Sequence, residues 1–169
     1  MDIMTNGTWL NDQESQAWKY LVGLLFRLPP VLEGQLQREE DLSFADYMVM
    51  AMLSENTNEG VRMTDIGGLV KMAQPRLTRI VTKLEKLGFV TRTNSPEDRR
   101  VVFAQITPQG LSKLEQAAPG HVDHVRRTVF DHLTPQQVEN LLEIGQALLD
   151  SGDPELSMQS HCANSPVAP

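Results

Sequence analysis

TDIGGLVKMAQPRLTRIVTKLEKLG, residues Thr64 to Gly88, contains two short helical patterns separated by a corner, and its second half decides how the chain is read. At about 100° per residue, Leu77, Ile80, Val81, Leu84 and Leu87 fall inside an apolar arc roughly 120° wide. The opposite arc carries Pro75, Thr78, Arg79, Thr82, Lys83 and Lys86, with Arg76 at its edge, and only Glu85 brings a negative charge. A helix anchored by its apolar face and presenting hydroxyls and cations on the other can lie in a DNA major groove, where phosphates flank the base edges. The bland alternative, a solvated basic face, is weakened by what surrounds the helix. Upstream, Thr64-Asp65 reads as a helix start, with Thr64 as cap, and Ile66, Leu69 and Val70 form an apolar face that runs to about Lys71. The residue before Pro75 is biased away from helical angles, and Pro75 itself suits a first turn. Two helices joined by Lys71-Met72-Ala73-Gln74 make a helix-turn-helix.

Downstream, Gly88 ends the second helix, Phe89 to Thr93 reads as a strand, Asn94 to Asp98 supplies turn residues, and Val101 to Ile106 returns as a second strand. This hairpin carries Arg92, Arg99 and Arg100 and forms a basic wing, with Arg99 assigned to the minor groove and Asp98 to orienting an arginine. Thr107-Pro108 caps and starts a further helix. For base contacts the sequence points to Gln74, Pro75, Arg76, Thr78 and Arg79, near the amino end of the reading helix; Lys83, Lys86 and Arg92 are assigned to phosphates.

Three blocks, Leu84-Glu85-Lys86-Leu87-Gly88-Phe89-Val90, Pro96-Glu97-Asp98-Arg99-Arg100 and Ile106-Thr107-Pro108-Gln109-Gly110, resemble in order and spacing the winged-helix signature of the multiple-antibiotic-resistance regulator (MarR) family. The resemblance runs from about Gln13 to Leu149. It implies a homodimeric winged helix-turn-helix regulator, often released from DNA by small phenolic or aromatic ligands or by oxidation. One departure is Ala73, which stands where the family usually has a serine or similar cap, an omission that costs about 1 kcal/mol.

Composition agrees with a single globular domain: 169 residues, 40% hydrophobic and 22% charged. The net charge of −7 opposes DNA binding only if charge is averaged over the chain. Between Arg62 and Arg100 nine Lys or Arg stand against four acids, while the rest of the chain holds six against eighteen. Screening beyond about 8 Å lets the local patch decide phosphate contact. No long apolar run or leader pattern is present, so a cytoplasmic location is expected. The single Cys162 excludes an internal disulfide. It lies far from the amino-terminal helix where redox-sensing relatives carry their cysteine, so its plain reading is a tail thiol.

The remaining chain is mainly helical. Trp9 and Leu10 are expected to dock before a helix capped by Asn11-Asp12, whose apolar face runs from Ala17 to Leu36 and is kinked or broken by Pro29-Pro30. Gln37 to Asp41 reads as a polar connection, Ser43 with Asp46 as a capping box, and Val61-Arg62-Met63 as a short third strand beside the wing. Leu111 to Val129 continues in helical spacing through Pro119-Gly120, where a kink or a division into two helices is expected. Thr134-Pro135 starts a last helix ending near Asp150.

The fold class is therefore mainly α with a small β-hairpin wing. A winged helix-turn-helix domain over 43–107 joins a helical dimerisation region over 11–36 and 108–150, and a disordered tail follows over 151–169. The outer helices carry more apolar surface than one small module can cover, consistent with a two-fold dimer on a pseudo-palindromic operator. Trp18, Phe26, Tyr47, Met48 and Met52 are candidates to line a pocket for a small aromatic effector, the competing reading being plain core. His121, His124 and His132, with help from Asp131 or Glu115, leave open a metal-responsive alternative. No phosphate-binding glycine loop, metalloprotease motif or nucleophile elbow points to an enzyme or to a cofactor. A winged helix used for protein contact alone is the third class.

Overall fold

A computed structural model describes residues 9–56, 60–69, 72–98 and 100–150. Helix α1 (Asp12–Glu40) is capped by Asn11, whose side chain accepts the Glu14 amide while Glu14 returns a bond to the Asn11 amide. The helix runs unbroken through Pro29 and Pro30, which corrects the expected break. Each proline removes one amide donor, freeing the carbonyls of Leu25 and Phe26; both residues are exposed, where water can satisfy those groups. The expected polar connection after Leu36 is also helical. Hydrogen bonds from Gln35 to Glu39 and from Gln37 to Asp41 hold the last turns, which end at Asp41 in the left-handed region. Trp9 and Leu10 stay exposed and form no staple.

The second helix, α2 (Phe44–Ser54), begins with the Ser43–Asp46 capping box read from the sequence. Strand β1 (Val61–Arg62) leads directly into α3 (Met63–Leu69), so Thr64 lies inside the helix and not at its cap. Its hydroxyl bonds the Asp65 carboxylate instead. The reading helix α4 (Gln74–Lys86) starts after Ala73 with no side-chain cap, as the sequence implied. It buries Leu77, Val81 and Leu84 completely, leaves Ile80 partly covered and Leu87 exposed. Each full burial contributes about 1.5–3 kcal/mol, which holds α4 in place despite the uncapped start.

Gly88, at φ +77°, turns the chain into β2 (Val90–Asn94), which pairs antiparallel with β3 (Val102–Ile106) in the register Val90–Ile106, Arg92–Ala104 and Asn94–Val102. β1 lies on the other edge of β3, giving the order β1-β3-β2. Helix α5 (Pro108–Thr128) is capped by Thr107 and continues through Pro119 as one helix, not the two that the sequence allows. Pro119 is exposed, as is Glu115, whose carbonyl it leaves unbonded. A 3₁₀ turn at Phe130–His132 leads to α6 (Pro135–Leu149), none of whose residues is buried.

One core joins α1, α2, α3, α4, the sheet and α5: Leu36, Val49, Met50, Leu53, Ile66, Leu84, Ala104 and Ala117 are all fully shielded from solvent. The first half of α1 and all of α6 stand outside it. Trp18, Tyr20, Leu24, Leu25 and Phe26 on α1, and Leu141, Leu142, Ile144 and Leu148 on α6, are exposed. Among the described residues no helix is long and apolar enough to cross a membrane.

Candidate nucleic-acid interface

The buried stripe of α4 fixes which of its side chains face outward. Gln74, Pro75, Arg76, Thr78 and Arg79 are all exposed. Arg76 and Arg79 have no ion-pair partner among the described residues, so both guanidinium groups are available to an anion. The Thr78 hydroxyl donates to the Gln74 carbonyl at 2.8 Å, which commits its proton but leaves its oxygen lone pairs and methyl outward. Gln74 is partly engaged too: its amide nitrogen donates to the Met63 carbonyl at 3.3 Å, bracing the start of α4 against α3.

Three of the remaining cations are engaged by carboxylates of the protein, and Lys86 is exposed. Lys83 is half-exposed, yet its Nζ donates at 2.6 Å to Asp46, a carboxylate buried at the start of α2. The same Asp46 oxygen accepts the Ser43 amide at 2.8 Å. Arg92 bonds Glu85 on α4. On the wing, Asp98 accepts the Arg100 amide at 2.9 Å and its Nε at 3.2 Å, the orienting contact the sequence assigned to it. That pair holds the Asp98 carboxyl below the usual aspartate range through the Arg100 side-chain bond first and its backbone bond second. Arg100 itself projects into solvent. Arg99 lies outside the described residues, as do Cys162 and the tail over 151–169.

Two contributors are not among the site residues that the sequence singles out. Arg62, exposed on β1, lies with its guanidinium 5.8 Å from the Phe103 ring centre, which adds a cation beside the wing. Asp46 appears in the sequence as a cap; nothing in its spacing announces a partner 37 positions away.

None of the five candidate effector residues lines either of the two clefts that border α4. Trp18 and Phe26 stand exposed on α1, Met48 is exposed on α2, Met52 is partly buried against the core, and Tyr47 packs beneath α5. A cleft of about 620 Å³ instead opens between α1, α2 and α4, lined by Pro29, Pro30, Phe44, Ile80, Arg76 and Arg79 among others. A smaller one of about 490 Å³ follows the outer face of α4 from Thr78 to Leu87.

The three histidines are not assembled into a metal site. His121 is buried, with Nδ1 3.4 Å from Gln35 Oε1 and its ring 4.4 Å from Tyr47 and 6.0 Å from Phe44. His124 Nε2 faces the Val31 carbonyl, and His132 sits in the exposed 3₁₀ turn. Among the described residues no three of His, Cys, Asp and Glu are grouped to hold a metal.

Burial, and then the charge of His124, lower the His121 pKa from the ordinary 6.5. The unfolded chain therefore takes up a proton at pH values where the folded chain does not. Stability is expected to be independent of this group above about pH 6.5 and to fall as pH drops below it, until the depressed folded pKa is reached. Urea titrations at several pH values, repeated on His121→Gln, check this: the substitution should flatten the acid limb. An unchanged limb would assign the slope to other groups.

Residues 42–102 match the sequence profile of the MarR family. Over a wider span the chain resembles the crystal structure of Sco3205, a MarR family transcriptional regulator of Streptomyces coelicolor in complex with DNA. The two are 35% identical, with a TM-score of 0.82 over 90% of this chain and 95% of that one. The HTH-type transcriptional regulator MhqR of Bacillus subtilis is 32% identical over 84 residues, 50% of this chain and 57% of that protein. The HTH-type transcriptional repressor YetL of the same organism is 25% identical over 84 residues, 50% of each chain. The matched segment thus spans little more than half the length of these two Bacillus relatives.

Proposed function

Because the chain belongs to the MarR family of transcriptional regulators, we propose that it is a homodimeric repressor that binds a pseudo-palindromic DNA operator through α4 and the wing. The observation that carries this reading is the two-sided character of α4. Leu77, Val81 and Leu84 lock one face into the core, and Arg76, Thr78 and Arg79 stand outward without internal ion pairs. In this arrangement Arg76 and Arg79 read base edges, each bidentate contact giving about 1–3 kcal/mol of discrimination. Gln74 and Pro75 border the base edges, while Lys86 supplies positive charge toward the phosphates and the half-exposed Lys83, its charge offset by Asp46, stands beside them. Arg100, oriented by Asp98, and Arg99 reach the adjacent groove from the wing. Repression is supported by the name of the relative YetL.

Dimerisation is supported by the apolar residues that α1 and α6 leave in water. Burying each of those leucines against a second copy contributes up to about 1.5–3 kcal/mol, and a two-fold axis presents two reading helices together. The proposed division of labour is 11–36 and 108–150 for pairing, and 43–107 for DNA. Half-site centres then lie about one helical turn, roughly 34–36 Å, apart.

Sedimentation equilibrium with a duplex selected from random DNA tests the assembly. Two copies per duplex and a dimer when free are expected; a stable monomer at micromolar concentration would contradict it. A small aromatic acid is the proposed releasing ligand. The cleft between α1, α2 and α4 pairs apolar walls with Arg76 and Arg79, so an occupant there competes with DNA for the same cations. Phenolic acids that leave the complex intact at all concentrations would remove the ligand from this account.

A further inference from the structure

Glu85 is the only acid on α4, and a carboxylate beside a polyanion is a liability for a reading helix. The structure gives it a partner. Arg92 Nε donates to Glu85 Oε2 at 3.0 Å, and an Arg92 terminal nitrogen donates to the same oxygen. The Glu85 carboxyl is held below its usual range, chiefly by the Arg92 side-chain hydrogen bond.

Strand alternation explains how they meet. Val90, in the core against Leu84, and Arg92 share the face of β2 turned to α4; Thr91 and Thr93 face away and are exposed. Only Leu87, Gly88 and Phe89 separate helix from strand. The Phe89 amide bonds the Leu84 carbonyl at this junction, and two side-chain contacts add to the hold on the angle between α4 and the wing. One is at Gly88, whose carbonyl accepts the Thr107 hydroxyl at 2.6 Å, and the other is the Glu85–Arg92 contact one helical turn and two strand residues away.

We propose that Arg92 is a positioning residue and not a phosphate ligand: clamped by Glu85, it fixes the wing at one angle to the reading helix. The helix and wing then meet the duplex in a single register. The clamp replaces the phosphate role that the sequence assigns to Arg92, and it rests on the DNA-binding reading above. Its consequence is specific. A loosened wing disturbs contacts that need helix and wing in register together, and leaves the number of neutralised phosphates unchanged.

The test uses the full chain as wild type, Glu85→Gln, Arg92→Gln and the double variant. Affinity is measured for a duplex that the wild type selects from random DNA and for an unselected duplex, from roughly 50 to 200 mM salt, with melting temperature measured in parallel. Each single variant is expected to lose about tenfold in discrimination between the duplexes. The double variant should lose no more than either single one, because the two residues act as a unit. Its salt slope on the unselected duplex should equal that of the wild type.

The proposal is overturned if Arg92→Gln weakens both duplexes alike, with a salt slope shallower by about one, and Glu85→Gln tightens binding. It is equally overturned if only melting falls while discrimination holds. A wild-type chain that binds neither duplex removes the DNA-binding reading and this proposal with it, a result visible before any variant is compared.

Discussion

Gly110→Ala is expected to lower the melting temperature by roughly 6–12 °C, the equivalent of about 3 kcal/mol in a chain of this size. Helix propensity alone predicts the opposite sign, since alanine is favoured over glycine in a helix by about 1 kcal/mol. Space decides the outcome. A Cβ at Gly110 would lie 2.1 Å from the Phe89 carbonyl oxygen and 2.9 Å from Ile106 Cγ1. The carbonyl cannot move away freely, because it accepts the Thr107 amide at 2.9 Å where α5 begins. Backbone must therefore separate from backbone at the junction of wing and α5. Thermal unfolding of the variant checks the claim, and a melting point equal to the wild type would mean that this junction is looser than the structure has it.

The second large effect is expected at Lys83. Lys83→Met leaves the buried Asp46 carboxylate with the Ser43 amide but without its cation, and breaking a pair in that direction costs about 3 kcal/mol. Asp46→Asn should cost less. It keeps the helix cap in part, and the half-exposed Lys83 can return to water. Combining the two substitutions should recover most of the loss, since no unpaired buried charge remains. Urea unfolding of the three variants reads this order directly; Lys83→Met proving the milder of the two single changes would sink the argument.

Much of this was legible because short-range chemistry dictates it. The caps at Asn11, Ser43, Thr107 and Thr134 are each a polar side chain three residues before the amide it accepts, and such a signal needs no tertiary context. The same holds for the apolar stripe of α4 and for the alternating strands of the wing, whose ends the structure shifts by one residue.

Pro29, Pro30 and Pro119 suggest a break or division that the continuous helices do not show, because the cost of proline depends on whether the freed carbonyl meets water, and exposure is a property of the whole fold. The Lys83–Asp46 and Arg92–Glu85 pairs were illegible for a related reason. Each cation reads as free because its partner comes from another element: the start of α2 for Lys83, and α4 for Arg92 on β2. Glu85 did leave a trace, as a lone acid on a basic helix. The candidate effector residues rest on the family resemblance more than on spacing, and residue type does not say which of them a fold brings together.

Whether Arg79 and its neighbours form the outward ridge proposed to read DNA is decided by a salt titration. Affinity for the selected duplex is followed against salt for the wild type, Arg79→Ala and Arg127→Ala, the last removing an exposed arginine of α5 paired with Asp123. The account predicts a linear fall of log affinity with log salt. It also predicts a loss of about 10- to 100-fold in discrimination for Arg79→Ala and little change for Arg127→Ala. Binding that ignores salt, or equal losses from the two substitutions, would contradict it.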